Sequence, residues 1–408
     1  VTAAGPSPRA VVTALGLVQI LAWGSSFYFP AVFAGPIAAE TGWPLPLVVG
    51  GVSLGLLVGG LISPQVGALI ARHGGRPLLA ASSLLFAAGL AGIGFATSLP
   101  AYLIAWAVVG LGMGTGLYDA VFAALGRRYG SKARTAITTL TLFGGFASTV
   151  CWPFSAWLLE AVGWRGACFV YAALHLALAL PLQLLAMRGE TATAPGTTQD
   201  ASGEAASTAS PAVAHRRAVM AALAVILSIA AGIGSIVVVH LLVFLQAGGI
   251  AFAAAVSLGM LFGPAQVGAR LIERLFGQSY HPLWTLAAAT LLMLAGLLLL
   301  LFARPPQTGL WLAALAIILY AAGYGISWIA RGTVPLAIFG AATYPVVIGR
   351  LALPSLIVQA LAPTLGAIMI ERAGTFATVG ALAALATANV ALMVVLWRLA
   401  AAGRGGFT

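Results

Sequence analysis

Two charged residues lie inside long apolar runs with no loop nearby to receive them: Asp119 and Arg331. Asp119 follows Gly112-Met113-Gly114-Thr115-Gly116-Leu117-Tyr118 and precedes Arg127 by eight residues, about 12 Å at helical rise. A lone charge in a membrane helix costs at least about 2.5–3.5 kcal/mol on insertion scales, so each must face a partner, water or a solute. Three readings of Arg331 stay open. It binds an anionic solute, it pairs with Asp119 as a gate, or it snorkels to the interface from the end of a shorter helix. For Asp119 the readings are proton coupling, gating, or a structural partner for Arg127 or Arg134.

Other runs carry polar and aromatic groups. The first has Gln19, Trp23, Ser25, Ser26 and Tyr28, the seventh Ser228, Ser235 and His240, and the tenth Tyr320, Tyr324, Ser327 and Trp328. Aromatic rings with hydroxyls suit a cavity that shapes a small polar or amphipathic solute. The plainer alternative is packing and hydrogen bonding between helices. His240 and His175 belong to the one side-chain type that ordinarily titrates near neutrality, against the alternative of buried hydrogen-bonding residues. Cys151 and Cys168 have no metal-ligand spacing and form no disulfide framework. No phosphate-binding Gly-rich loop ending in Lys-Ser/Thr is present, which removes ATP-driven pumping. No Ser-His-Asp set stands out. The expectation is therefore no cofactor, no metal and no enzyme.

Composition says what must position these groups. Of 408 residues, 61% are hydrophobic and 7% charged, and the mean hydropathy is +1.06. Soluble domains carry roughly 25% charged residues, and their exteriors must be wetted by polar groups. A polytopic membrane protein follows. A bilayer core about 30 Å thick needs roughly 20 apolar residues per helix. Twelve runs qualify, near 11–34, 46–69, 77–97, 100–125, 134–158, 166–187, 217–245, 250–271, 282–302, 309–338, 345–370 and 375–397. Membrane strands would show short alternating segments instead. The first run is too long for a signal-peptide core and reads as a retained helix.

The net charge is +11. The basic residues punctuate apolar runs rather than forming a stripe, which argues for topology signals and against nucleic acid. With the N-terminus inside, fifteen basic residues fall on the cytoplasmic side, among them Arg72, Arg76, Arg127, Arg128, Arg270 and Arg274. Three fall outside (Arg165, Arg304 and Arg372), with Arg331 set aside as intramembrane. The expected location is a cell membrane, a bacterial inner membrane, crossed many times with both termini cytoplasmic.

Residues 189–214 are rich in Ser, Thr, Ala and Pro and lack an apolar period, so they read as a flexible cytoplasmic linker. They divide the chain into 1–188 and 215–408, each with six runs. Val52-Ser53-Leu54-Gly55 recurs as Val256-Ser257-Leu258-Gly259, and Gln65-Val66-Gly67-Ala68 as Gln266-Val267-Gly268-Ala269, at offsets of 204 and 201. An even number of spans per half gives both copies one orientation, related by a pseudo-two-fold axis along the membrane normal. Matching Gly112 to Gly323 puts Asp119 one residue from the equivalent of Arg331.

After the second run comes Gly67-Ala68-Leu69-Ile70-Ala71-Arg72-His73-Gly74-Gly75-Arg76. With the repeat, this loop resembles the G-x-L-x-D-R-x-G motif of the major facilitator superfamily, matching at Gly67, Leu69, Arg72, Gly74 and Arg76. Ala71 replaces the family's Asp. The R-x-G-x-R-P wording with Trp43 is similar to the monocarboxylate and oxalate/formate branch. Independently of the family, Gly67 allows close helix packing, Gly74 and Gly75 a tight turn, and Arg72 and Arg76 can hold carbonyls at helix ends.

The resemblance implies an all-α fold of twelve transmembrane helices in two six-helix bundles, working by alternating access. It also implies that the first, fourth, seventh and tenth helices face a central cavity. Trp23, Ser26, Tyr28, His240, Tyr324, Trp328 and Arg331 then line that cavity, with Asp119 and Arg331 as coupling or gate residues. The expected function is a monomeric secondary transporter for a small organic anion such as a monocarboxylate, coupled to protons or to anion exchange. One alternative is an efflux pump for drugs, metabolites or metalloids. Another, of a different class, is a non-transporting membrane sensor or an intramembrane enzyme.

Overall fold

The computed structural model describes residues 6–189, 211–303 and 309–402, and no strand occurs among them. Most of the stretch read as a linker lies outside the described residues, as do Arg304 and Arg404. In lipid every backbone polar group must find its partner within the segment, and helices do this. The order is α1 (Pro8–Ser25), α2 (Phe29–Thr41), α3 (Leu45–His73), α4 (Gly75–Phe95), α5 (Leu99–Gly116), α6 (Tyr118–Tyr129), α7 (Ala133–Gly145), α8 (Ala147–Leu174) and α9 (Leu180–Ala186). The second half has α10 (Pro211–Ala247), α11 (Phe252–Gly259), α12 (Phe262–Phe276), α13 (Pro282–Phe302), α14 (Gly309–Phe339), α15 (Tyr344–Ala373) and α16 (Thr375–Ala402). A π-helical turn, His175–Ala179, joins α8 to α9.

Ten helical stretches among the described residues are long and apolar enough to cross a bilayer. One of them, Leu99–Ala186, has 88 residues, several times the roughly 20 that one crossing takes. It breaks at Leu117, at Gly130–Lys132, at Phe146 and at Gly163 (φ 70°), so it holds the lengths of the fourth, fifth and sixth runs.

Four runs read as continuous are broken, the fifth at Phe146 and the eighth between Gly259 and Phe262. The first opens between Ser25 and Phe29, where Pro30 cannot donate to a preceding carbonyl. The fourth opens at Leu117, whose ψ of −173° is extended. The eighth run, read as ending at 271, continues as α12 to Phe276, and α10 already begins at Pro211, a residue suited to a helix start.

Corners repeat as well as spans. Gly42, Gly130 and Gly163 adopt positive φ, and so do Gly249, Gly340 and Gly374, each pair 207 to 211 residues apart. One hydrophobic core lies almost wholly within residues 11–187 but draws in Leu336, Tyr344, Ile348 and Ala360. The other cores lie within residues 219–400.

The main contacts between the halves are α3 with α15, α6 with α15, and α7 with α12 and α14. They concentrate at the end of the bundle that carries the α3–α4 turn. There a Cβ on Gly67 would strike the Pro345 carbonyl, and one on Gly349 the Ser63 carbonyl. At the other end, α2 packs mainly on α3 and α8, and α11 on α10 and α14.

Candidate functional site

The break at Leu117 makes Tyr118 the first residue of a new helix and puts Asp119 in its first turn. A helix N-terminus favours a carboxylate there. Arg331 comes from the C-terminal third of α14. Its Nε donates to Asp119 Oδ1 at 2.7 Å and its Nη2 to Oδ2 at 2.8 Å. This two-pronged pairing is the strong geometry for a guanidinium and a carboxylate. The side chains are 5% and 14% exposed. The pair therefore bridges the halves inside the apolar spans. The loop bases have other partners: Arg127 donates to the Ala71 carbonyl, and Arg134 to the carbonyls of Gly277 and Tyr280, near Glu273 at 3.7 Å.

Trp328, one turn before Arg331, lies with its ring centre 5.4 Å from the guanidinium carbon, within cation–π range. The same indole meets Trp23 edge-on at 5.6 Å, Tyr118 at 5.5 Å and Tyr324 at 6.2 Å. Trp23 and Tyr118 are 5.1 Å apart. Residues from α1, α6 and α14 thus build one aromatic cluster across the seam. A narrow cleft beside it is lined by Trp23, Ser63, Met113, Tyr118, Asp119 and Trp328, with room for about one water. A second cleft, between α10, α13 and α14, includes Leu227, Ala230, Met293, Ser327, Trp328 and Arg331.

Arg270 is the functional candidate that sequence reasoning missed. It was placed among the cytoplasmic loop bases, yet it is 3% exposed, inside α12. Its Nη1 donates to the Thr141 carbonyl at 2.7 Å, its Nε to the Gly325 carbonyl at 3.0 Å and its Nη2 to Gln266 Oε1 at 3.1 Å. All three partners are neutral. The Thr141 carbonyl also accepts from the Tyr118 hydroxyl at 3.4 Å, which ties this cation to the aromatic cluster. The available signal was Gln266, four residues earlier on the same helical face, together with apolar spacing that continues to Phe276.

The remaining expected cavity residues scatter. Ser26 is buried and bonds its own helix at the Ala22 carbonyl. Tyr28 contacts Phe27 and Trp152, and Phe27 meets Trp23 at 5.5 Å. His240 lies apart, its Nε2 3.0 Å from the Pro363 carbonyl. His175 is fully buried, stacked on Phe86 at 4.8 Å, with its Nε2 2.8 Å from Ser25 Oγ. Gln19 Nε2 caps the freed Gly116 carbonyl at 2.7 Å.

In the loop motif, Gly74 has φ 86° and closes α3 with its N–H on the Ile70 carbonyl. Gly75 sits where a Cβ would meet Ala124. Arg72 and Arg76 are exposed, and Arg127 holds the helix-end carbonyl of Ala71. Among the described residues, no group of three or more His, Cys, Asp or Glu could hold a metal ion.

The family model for the Major Facilitator Superfamily matches residues 15–334. Monocarboxylate transporter 13 of Bos taurus is 34% identical over 152 residues, 36% of this chain and 33% of that protein. Its Rattus norvegicus counterpart is 34% identical over 128 residues, 30% of this chain and 29% of that one. The chain thus spans about a third of the length of the curated relatives it matches. Among solved structures, the human organic anion transporter TETRAN superposes with a TM-score of 0.74 at 16% identity, covering 95% of this chain and 100% of that one. The Major Facilitator Superfamily transporter FucP in its outward conformation gives 0.72 at 13%, covering 94% and 98%. The proton:xylose symporter XylE gives 0.67 at 15%, covering 95% of each. At these identities the structural likenesses show the fold alone.

Proposed function

This chain belongs to the major facilitator superfamily, and on that premise we propose that it carries a small organic anion, a monocarboxylate, across a cell membrane by alternating access. The observation that carries the reading is Arg270. This buried cation is held by two carbonyls and an amide, with no opposing charge among them, and the aromatic cluster beside it offers no carboxylate other than Asp119, which Arg331 already engages. The seam therefore holds excess positive charge in a poor dielectric, and a solute that relieves it is negative. The similarity to monocarboxylate transporter 13 over 152 residues supports the same class.

In this reading the Asp119–Arg331 pair is the gate. It closes the halves at the end carrying the α3–α4 turn, and it parts when that end opens. We take that end as cytoplasmic, with both termini inside, because the basic residues gather there. The arrangement is then outward-facing. Asp119, released from Arg331, is the group that would take up a coupling proton. The carrier works as a monomer, since both halves of the seam come from one chain.

The test is carboxylate uptake and counterflow in proteoliposomes, with Arg270→Gln compared to Arg270→Lys. A hydrogen bond to a charged group contributes about 1.5–3 kcal/mol. Arg270→Gln should therefore weaken apparent affinity roughly ten- to hundredfold, with partial recovery in the lysine variant. Unchanged affinity in Arg270→Gln would refute the anion reading.

A further inference from the structure

Trp328 is the wall between the two clefts. It lines the one beside Asp119 and also the one between α10, α13 and α14, and it is half-buried. Each cleft has room for about one water, too little for a carboxylate of even a few carbons. Tyr118 lines the first cleft and Tyr324 the second. Arg270 is anchored behind both rings, on the Thr141 carbonyl that Tyr118 shares and on the carbonyl of Gly325, next to Tyr324.

We propose that the Trp328 indole is a swinging partition: turned aside, it joins the two clefts into one substrate cavity with a cationic end and an apolar arm. This rests on the anion reading above. The arm runs along Leu227, Ala230, Ala231, Leu286 and Met293. Of its three hydroxyls two already donate elsewhere, Thr290 to the Leu286 and Ala287 carbonyls and Ser327 to that of Tyr324, which leaves the Tyr324 hydroxyl alone to meet a polar solute. A sugar there would leave hydroxyls without partners, and a second carboxylate would be buried without a free cation, because Arg331 is taken by Asp119. The solute that fits is a monocarboxylate with a hydrocarbon tail. The same swing lifts the indole off Arg331, so entry of the tail loosens the gate pair.

The experiment uses the full purified chain and a series of acetate, butyrate and hexanoate, with succinate for comparison. Binding is read by ligand-shifted melting and transport by uptake into proteoliposomes. In the wild type, affinity should rise about fourfold per methylene until the arm is full, with succinate the weakest. Ala231→Leu, which narrows the arm from a half-buried position, should shrink the hexanoate-to-acetate ratio. Trp328→Ala should enlarge it, and Trp328→Phe should fall between. Identical tail-length profiles in all four proteins, with acetate still bound, would overturn the partition while sparing the anion reading. A wild type that binds no carboxylate of any length overturns both.

Discussion

Asp119→Asn isolates the charge at the seam. Asparagine keeps the shape and one acceptor but leaves the Arg331 guanidinium, 5% exposed, without a counter-charge. Removing one partner of a buried pair costs about 3–5 kcal/mol. The lower end, about 3 kcal/mol, applies here because Asp119 retains some exposure and the Trp328 ring still faces the cation. The cost falls on the closed seam alone, since in an opened one water reaches Arg331. At about 1.4 kcal/mol per tenfold, the balance moves on the order of 100-fold toward the open seam.

A cysteine at Thr138 reports it. Thr138 is buried on α7 and accepts a bond from Gln278 across the seam at 3.4 Å. Labelling of Thr138→Cys by a membrane-impermeant maleimide, added at the α3–α4 turn side, should quicken by about two decades in Asp119→Asn. It should fall back when Arg331→Gln is added, because a neutral pair leaves no buried charge. A labelling rate unchanged by the single variant, or a double variant as fast as the single, would defeat the gate argument.

Two further outcomes follow from the packing. Gly67→Leu drives a side chain into the Pro345 carbonyl at the α3–α15 crossing, an overpacking cost of about 1–3 kcal/mol borne by the closed seam. Uptake should drop and Thr138→Cys labelling rise, and a normal uptake rate would show that this crossing need not close. Tyr344→Phe removes the hydroxyl that donates to the Gly332 carbonyl at 2.6 Å. Thermal melting should register a loss of about 1 kcal/mol, and no loss would mean that carbonyl is satisfied without it.

The spans were legible because lipid demands continuous apolar helices, and a charge ends a run in sequence as it often ends one in space. The same rule hid Arg270. The eighth run was cut just past the first arginine, whereas α12 runs on because its charges turn inward: Arg270 onto backbone carbonyls and Arg274 onto Thr139. Matching Gly112 to Gly323 set Asp119 and Arg331 one residue apart but left their pairing as one of three readings of Arg331, and the contact itself comes from the structure. The break at Leu117 could not be foreseen. It contains no proline, and the glycines before it read equally as close-packing positions, as Gly116 against Ser82 on another helix shows. His240 was grouped with the cavity by helix number. Its neighbour is the Pro363 carbonyl, whereas the carbonyl that this proline frees, that of Gln359, is taken by Ser235.

The grip between the halves is lopsided, strong at one rim and slight at the other. A clamp fastened on one side has a preferred resting pose, and its cycle is limited by whichever stroke must first undo that fastening without help. With cargo aboard, the loosened ring beside the bridge lends that help. Empty, the machine has none, so on the proposed reading the unloaded return should set the turnover, and exchange of one solute for another should run faster than net movement.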